Sequence, residues 1–501
     1  MAAARAALKI KMKTLSKILI LLLFPAIAVA HVGSPDVYYE GKAGPYSVQV
    51  VVRVPPVIPG VAEVEVKTLS GNVNTVRMVP LRIQGLGAEL APVADIGQRS
   101  LDDARSFHAG LWLMQRGAWK VQVTVEGDLG HGELSIPVAA APTIMRPMQW
   151  PLRWLLGILM TILAVGFVGM AGAAVREGIS TPGATALTAS SNRARKAMVF
   201  VALFVVVVLT LGGIWWKSEA ADTSRWIYSV PRVKASLVVP NALSITLKKP
   251  DTAGWAQRTK LNDLIPDHGH LVHLFLVRVP QLDRMVHLHP GGDGSGAEGQ
   301  FLQTLPAMPA GRYQVFADIV HSTGFPETQI SEIVLPEIQS GTPQGDDSSV
   351  SAAPLNQSAA GQTATLDGGM RMRWLNEPSF HAGEPIGLRF RVEDAAGAPA
   401  TDLEPYMGMA GHLVVVREDC QVFAHLHPGW SAPMATVELA SGASAMKSMD
   451  HASDGAVSPE IVFPYGFPEA GRYRLFVQVR HAGKVETGVF DAQVTSGGAK
   501  L

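Results

Sequence analysis

The chain is nearly without cysteine. Its 501 residues contain one, Cys420, so intramolecular disulfides and Cys-cluster zinc or iron–sulfur sites are excluded. Charge is also scarce: 17% of residues are Asp, Glu, Lys or Arg, with 42 basic against 42 acidic. A neutral chain offers nothing that attracts nucleic acid, and no nucleic-acid partner is expected. Catalytic signatures are missing as well. There is no Gly-x-Ser-x-Gly, phosphate loop, His-Glu-x-x-His or haem-attachment motif, and the sequence does not read as an enzyme.

What the chain has is apolar residues, 48% of the total, at a mean hydropathy of +0.19. That is high for a water-soluble protein and low for a bundle of spanning helices, so a few membrane segments carrying large aqueous domains are expected. The N-terminus is basic (Arg5, Lys9, Lys11, Lys13, Lys17), then apolar over Ile18–Phe24, then Ala28-Val29-Ala30. This reads as a secretory signal peptide, 1–30, whose cleavage leaves His31 first. Two later runs are long enough to span a bilayer, 154–175 and 197–216. They form a hairpin over 150–216, with Trp150, Trp154, Trp215 and Trp216 at one interface. The loop 176–196 carries Arg176, Arg193, Arg195 and Lys196 against Glu177, which makes it cytoplasmic by the positive-inside rule. The domains on either side then lie outside the cytoplasmic membrane. Gly157, Gly166, Gly169 and Gly172 in the first span permit close helix approach. Neither span holds an ionisable residue, which argues against an ion pathway through it.

Outside the hairpin, abundant Gly and Pro with alternating apolar residues predict short strands. Tyr46, Val48, Val50, Val52 and Val54 show the period of two of a half-buried strand, as do Trp119, Val121, Val123 and Val125. The second half contains a duplication. Leu261-Asn-Asp-Leu-Ile-Pro-Asp-His-Gly-His270 aligns with Ala400-Thr-Asp-Leu-Glu-Pro-Tyr-Met-Gly-Met409. His273-Leu-Phe-Leu-Val-Arg278 aligns with His412-Leu-Val-Val-Val-Arg417, and His287-Leu-His289-Pro290 with His425-Leu-His427-Pro428. Ala310-Gly-Arg-Tyr313 and Ala470-Gly-Arg-Tyr473 follow, and then His321 and His481. The expected fold is mainly β: three Ig-like β-sandwich modules plus a two-helix transmembrane hairpin. The modules are 31–146, repeat one at 219–338 and repeat two at 364–498, with 340–363 as a Ser/Gly/Ala/Gln/Pro-rich linker.

The first module opens a strand with Ala43-Gly44-Pro45-Tyr46 and closes one with Gly117-x-Trp119-x-Val121-x-Val123. In this it resembles the periplasmic YtkA-like and FixH-like domains of bacteria, over about a fifth of the chain. The two repeats resemble uncharacterised bacterial secreted proteins. These resemblances imply a setting of copper and respiratory-oxidase handling, with an envelope or oxidase-assembly protein as partner.

The histidines carry the chemistry. The expected metal set is His268, His270, His273, His287, His289 and His321 in repeat one, and Met407, Met409, His412, His425, His427 and His481 in repeat two. His287 and His289, like His425 and His427, share one face of a strand. Pro290 and Pro428 end those strands, which places the pairs at a sheet rim open to water. His321 and His481 keep the parity of their strands' apolar face and are expected to point inward. Replacement of two imidazoles by Met407 and Met409, with Met434, Met446, Met449 and His451 in an extra loop, points to copper, because thioethers suit Cu(I) and suit zinc poorly. Cys420 has no counterpart in repeat one and reads as incidental. A mature N-terminal His31 would chelate copper through amine and imidazole, with His108 or His131 as a second ligand, in the manner of CopC-like chaperones and copper oxygenases, which it resembles. The Asp-x-His expected late in CopC-like domains is missing. The reading is thus a membrane-anchored, periplasmic copper-binding and delivery protein. Two alternatives stand beside it: a metal-free envelope scaffold whose histidines are rim contacts, and a copper enzyme using His31.

Overall fold

The computed structural model describes residues 31–32, 36–85, 90–178, 188–238, 240–292, 298–355, 361–377, 379–442 and 457–497, with only the backbone at 31–32 and 188–190. The signal peptide and Met446, Met449 and His451 lie outside the described residues. The protein is mainly β, with six sheets and two long apolar helices among the described residues.

The sheets pack in pairs, each pair around its own core. In the first module one sheet holds Val37–Ala43, Tyr46–Arg53, Gly60–Thr68 and Ser106–Leu113, and the other holds Gly130–Ala140, Gly117–Gly127 and Val73–Arg82. Val48, Val50 and Val52 meet Val121, Val123 and Val125 between them. The alternation seen in sequence is therefore the inward face of each sheet.

The repeats share one topology. In repeat one the strands run Pro326–Leu335, Gly311–His321, His273–Val279, Arg284–Leu288; in repeat two they run Lys484–Thr495, Gly471–His481, His412–Arg417, Val422–Leu426. Backbone detail repeats with it: His268 and Met407 both have φ of 51°, and Leu282 and Cys420 have φ of 52° and 57°. Cys420 thus stands where Leu282 stands in repeat one.

The segment 340–363 is not a free linker. Ser348–Ser351 adds a strand beside Arg284–Leu288 of repeat one. The corresponding edge of repeat two is taken by the backbone of His31–Val32, which pairs in parallel with Val422 and Phe423. Both exposed strand edges are thereby covered.

The two sandwiches pack sheet against sheet. Phe275, Val277, Met285 and Phe316 of repeat one meet Val414, Val416, Phe423 and Phe476 of repeat two in one buried cluster. Phe316 and Phe423 stack at 4.0 Å. Buried Arg474 pairs with Asp491 and donates to the carbonyls of Leu282 and Ala353 across the junction. The first module closes the arrangement: Tyr39 stacks on Trp430 at 6.3 Å, and Trp430, Ala432 and Val437 enter its core.

Helices Trp150–Glu177 and Thr188–Ser224 are long and apolar enough to cross a membrane, and their side chains are almost wholly exposed. At ~1.5 Å per residue both exceed the ~30 Å apolar thickness of a bilayer. They meet where a Cβ on Gly172 would lie 2.6 Å from the Met198 side chain, whereas Gly157, Gly166 and Gly169 face open space. Of the four glycines, Gly172 is the one that permits the approach.

Candidate metal centre

The strands His273–Val279 and His412–Arg417 are buried on both faces. In His273-Leu-Phe-Leu-Val, Leu274 and Leu276 point into their own sandwich, while His273, Phe275 and Val277 point the other way. The same split separates Val286 and Leu288 from Met285 and His287. The histidines therefore occupy the outward face of each repeat's sheet, and packing of repeat on repeat seals them in. The expectation of a water-exposed rim is corrected here. His287 is 0% exposed, His412 0%, His427 1% and His273 2%. Strand ends next to a proline are exposed in a lone sandwich, and here a second sandwich covers them.

Eight rings form the assembly: His268, His270, His273, His287, His289, His412, His425 and His427, linked by ring-to-ring contacts. Within it are two groups of three whose nitrogens lie within 4.8 Å of one another, His273/His287/His425 and His268/His412/His427. Each draws from both repeats.

Hydrogen bonding fixes the rings of the first group. Gln478 donates its amide to Ser348, so its Oε1 faces His287 and accepts from Nδ1 at 3.0 Å. Nε2 of His287 is then the lone-pair side. His273 donates from Nε2 to the Asp267 carbonyl at 3.0 Å, which leaves Nδ1 as its lone-pair side. These two lone-pair nitrogens face each other at 3.1 Å. His425 turns Nδ1 toward Asp318, 3.5 Å away, and its Nε2 is buried without a partner.

The second group follows the same rule. His427 donates from Nδ1 to the Ala432 carbonyl at 3.1 Å, and its Nε2 is unpartnered. His268 is held by the Met407 backbone and also has an unpartnered Nε2. Both nitrogens of His412 are unpartnered.

Ring spacing suits a shared ion in the first group and is a little tighter in the second. Nitrogens ~2.0–2.1 Å from a metal put ring centroids roughly 5.3–5.6 Å apart for tetrahedral or trigonal geometry. Centroid separations are 5.4, 5.3 and 5.5 Å in the first group. All three are 5.0 Å in the second.

Six of the rings are also held toward the neutral form. Burial, reinforced by neighbouring imidazoles, pushes His273, His287, His412 and His427 well below the ordinary histidine value, and lowers His268. Burial lowers His289 too, against the opposing effect of its hydrogen bond to Asp347. Neutral imidazole is the ligating form.

Other expected ligands fall elsewhere. His321 bonds Asp263 at 2.8 Å, and His481 bonds Asp402 at 3.0 Å and Glu486 at 3.4 Å; neither belongs to a three-histidine group among the described residues. Burial opposes protonation of His481, yet these two carboxylates raise its pKa. His270 and His289 flank the groups and bond Asp346 (3.2 Å) and Asp347 (3.0 Å). Met407 occupies the position of His268, half-buried, whereas Met409 and Met434 pack against the first module's core. Cys420 belongs to the inter-repeat apolar cluster, where burial pushes its thiol up to about 12. His108 and His131 are exposed on the first module, outside both groups, and the His31 side chain lies outside the described residues.

Five supporting residues are not legible as such in the sequence: Asp318, Asp346, Asp347, Tyr406 and Gln478. Asp346 and Asp347 stand in the Ser/Gly-rich segment read as a linker. The adjacent Asp-Asp, so placed in a run otherwise poor in charge, is the signal that points to them.

One protein family matches, described as a domain of unknown function (DUF8832), over residues 364–496. No curated protein sequence matches. Solved structures with some likeness include a tetra-tandem repeat in the extending region of a large adhesion protein. It is 10% identical over 88% of this chain and 72% of that one, at a TM-score of 0.16. The D1–D4 ectodomain fragment of ICAM-5 is 9% identical over 90% and 78%, at 0.17. A putative membrane anchored protein from Corynebacterium diphtheriae is 9% identical over 93% and 96%, at 0.14. Scores this low carry no argument about function.

Proposed function

We propose that this is a membrane-anchored metal-binding protein of the cell envelope that holds transition-metal ions, copper foremost, between its two repeats for delivery outside the cytoplasmic membrane. The observation that carries the reading is the convergence of lone pairs. Two neutral imidazole nitrogens 3.1 Å apart, with no proton to share between them, repel until a cation sits there. A buried unsatisfied polar atom costs about 1–3 kcal/mol, and the two groups contain several. Retaining them makes sense when an ion satisfies them.

The donor set favours copper. Every ligand in both groups is a nitrogen, and among divalent first-row ions such sites bind Cu(II) most tightly. The resemblance of the first module to YtkA-like and FixH-like domains points the same way. The basic loop of the hairpin supports an orientation with all three sandwiches outside the inner membrane, where copper is handled in an oxidising setting. The test is copper titration of full-length protein in detergent, compared with a His273→Ala/His412→Ala variant that removes one ligand from each group. Tight binding lost in the variant supports the reading, and equal binding refutes it.

A further inference from the structure

A cavity of about 680 Å³ lies where the three modules meet. Its walls are largely apolar, with Val37, Pro56, Val138, Phe325 and Pro433 among them. At one end it is lined by His273 and His425, two ligands of the first three-histidine group. No ligand of the second group lines it. His425 is 5% exposed in its side chain and keeps Nε2 without a partner.

The two groups therefore differ in their contact with the cavity. A structural site is closed by protein ligands, while a site that exchanges or reacts keeps one position open. The second group, whose His268 is half-buried, contacts the Met407 backbone, Tyr406 and the Trp430 turn, and none of its rings lies in the cavity wall. The first has two of its three rings, His273 and His425, in the cavity wall. A hydrated ion alone needs far less space; volumes of ~300–1,000 Å³ are those of small-molecule sites.

Resting on the metal-binding reading above, we propose that His273/His287/His425 is an open metal site whose remaining position is filled from the cavity by a small organic donor, and that His268/His412/His427 is closed. The wall chemistry narrows the class of ligand. Asp36, Asp267, Asp318 and Glu327 line the cavity, and Arg232 is the one Lys or Arg among its described lining residues. An excess of carboxylates disfavours anions. The ligand is a neutral or cationic molecule with an apolar body and a nitrogen or oxygen lone pair.

The groups are separable by mutation. His268→Ala/His427→Ala leaves the open group, and His287→Ala leaves the closed one. Full-length protein in detergent is loaded with Cu(II), and its visible band is followed during titration with imidazole or with azide. Imidazole should shift the band of the variant retaining the open group and leave the other unchanged, and azide should act at least tenfold more weakly than imidazole. Thr143→Trp and Ser229→Trp fill the cavity from different walls, away from the ligands. Either one that folds should abolish the imidazole response while copper stoichiometry stays the same. Copper bound with no imidazole response, equal responses from both groups, or a response that survives the tryptophans would overturn this proposal and leave metal binding standing. Failure of wild type to hold copper would overturn both.

Discussion

Replacing His412 by Leu separates a metal ligand from a structural histidine by the sign of its effect. His412 is fully buried and both of its ring nitrogens lack partners. It packs edge-on against Tyr406, with centroids 5.0 Å apart, and against three other histidines. Leucine fills similar space and buries no polar atom, so in metal-free protein the substitution removes an uncompensated desolvation cost of about 1–3 kcal/mol. The apo variant should be more stable than wild type by that amount. With copper the sign reverses: an ion held at 100 times its Kd adds about 2.7 kcal/mol to the folded state, and the variant's second group has lost one of three ligands. The assay is guanidinium denaturation of the full chain in detergent, with and without copper, following tryptophan fluorescence at the transition that includes Trp430. A chain of three sandwiches unfolds in more than one step, so midpoints of that transition are compared. A metal-free His412→Leu protein less stable than wild type would refute the reasoning, because it would show that the ring is already satisfied.

Three further outcomes follow from the same geometry. The folded-state pKa values of His268, His273, His287, His289, His412 and His427 lie below the ordinary histidine value of about 6.5. Metal-free protein should therefore be fully stable above about pH 6.5 and lose up to about 1.4 kcal/mol per pH unit for each of these rings as the pH falls below it; a flat profile from pH 7 to 5 would contradict this. Gln478→Leu frees His287 to adopt the wrong tautomer and should weaken copper binding to the first group about 10–100-fold, while circular dichroism stays unchanged. Reporter fusions at Thr188 should be active only with a cytoplasmic reporter, and at Gly127 and Gln357 only with an exported one; one orientation at all three sites would rule out the hairpin.

Much of the fold was legible because alternation reports it directly. Val48, Val50 and Val52 mark an inward face wherever the second sheet lies. The duplication was equally visible, since its motifs recur in order with nearly constant spacing. The packing of one repeat on the other was less so. His273-Leu-Phe-Leu-Val and His412-Leu-Val-Val-Val are apolar at successive positions, the pattern of a strand covered on both faces. That pattern says a strand is covered and leaves open by what. For this reason the sequence alone points the paired histidines to a solvent rim. His321 and His481 were grouped with them by position in the repeat, yet carboxylates that only the fold brings near, Asp263 and Asp402, hold them apart. Met409 illustrates the converse: a thioether that suggests copper in sequence is committed to the packing of the first module.

Metal content decides whether the inter-repeat histidines are ligands. Full-length protein without an affinity tag, expressed with copper in the medium and purified in detergent, should carry about two ions per chain by elemental analysis, one for each three-histidine group. The His273→Ala/His412→Ala variant prepared alongside should carry none tightly bound. A wild-type protein that emerges metal-free and takes up no copper on titration would contradict the account.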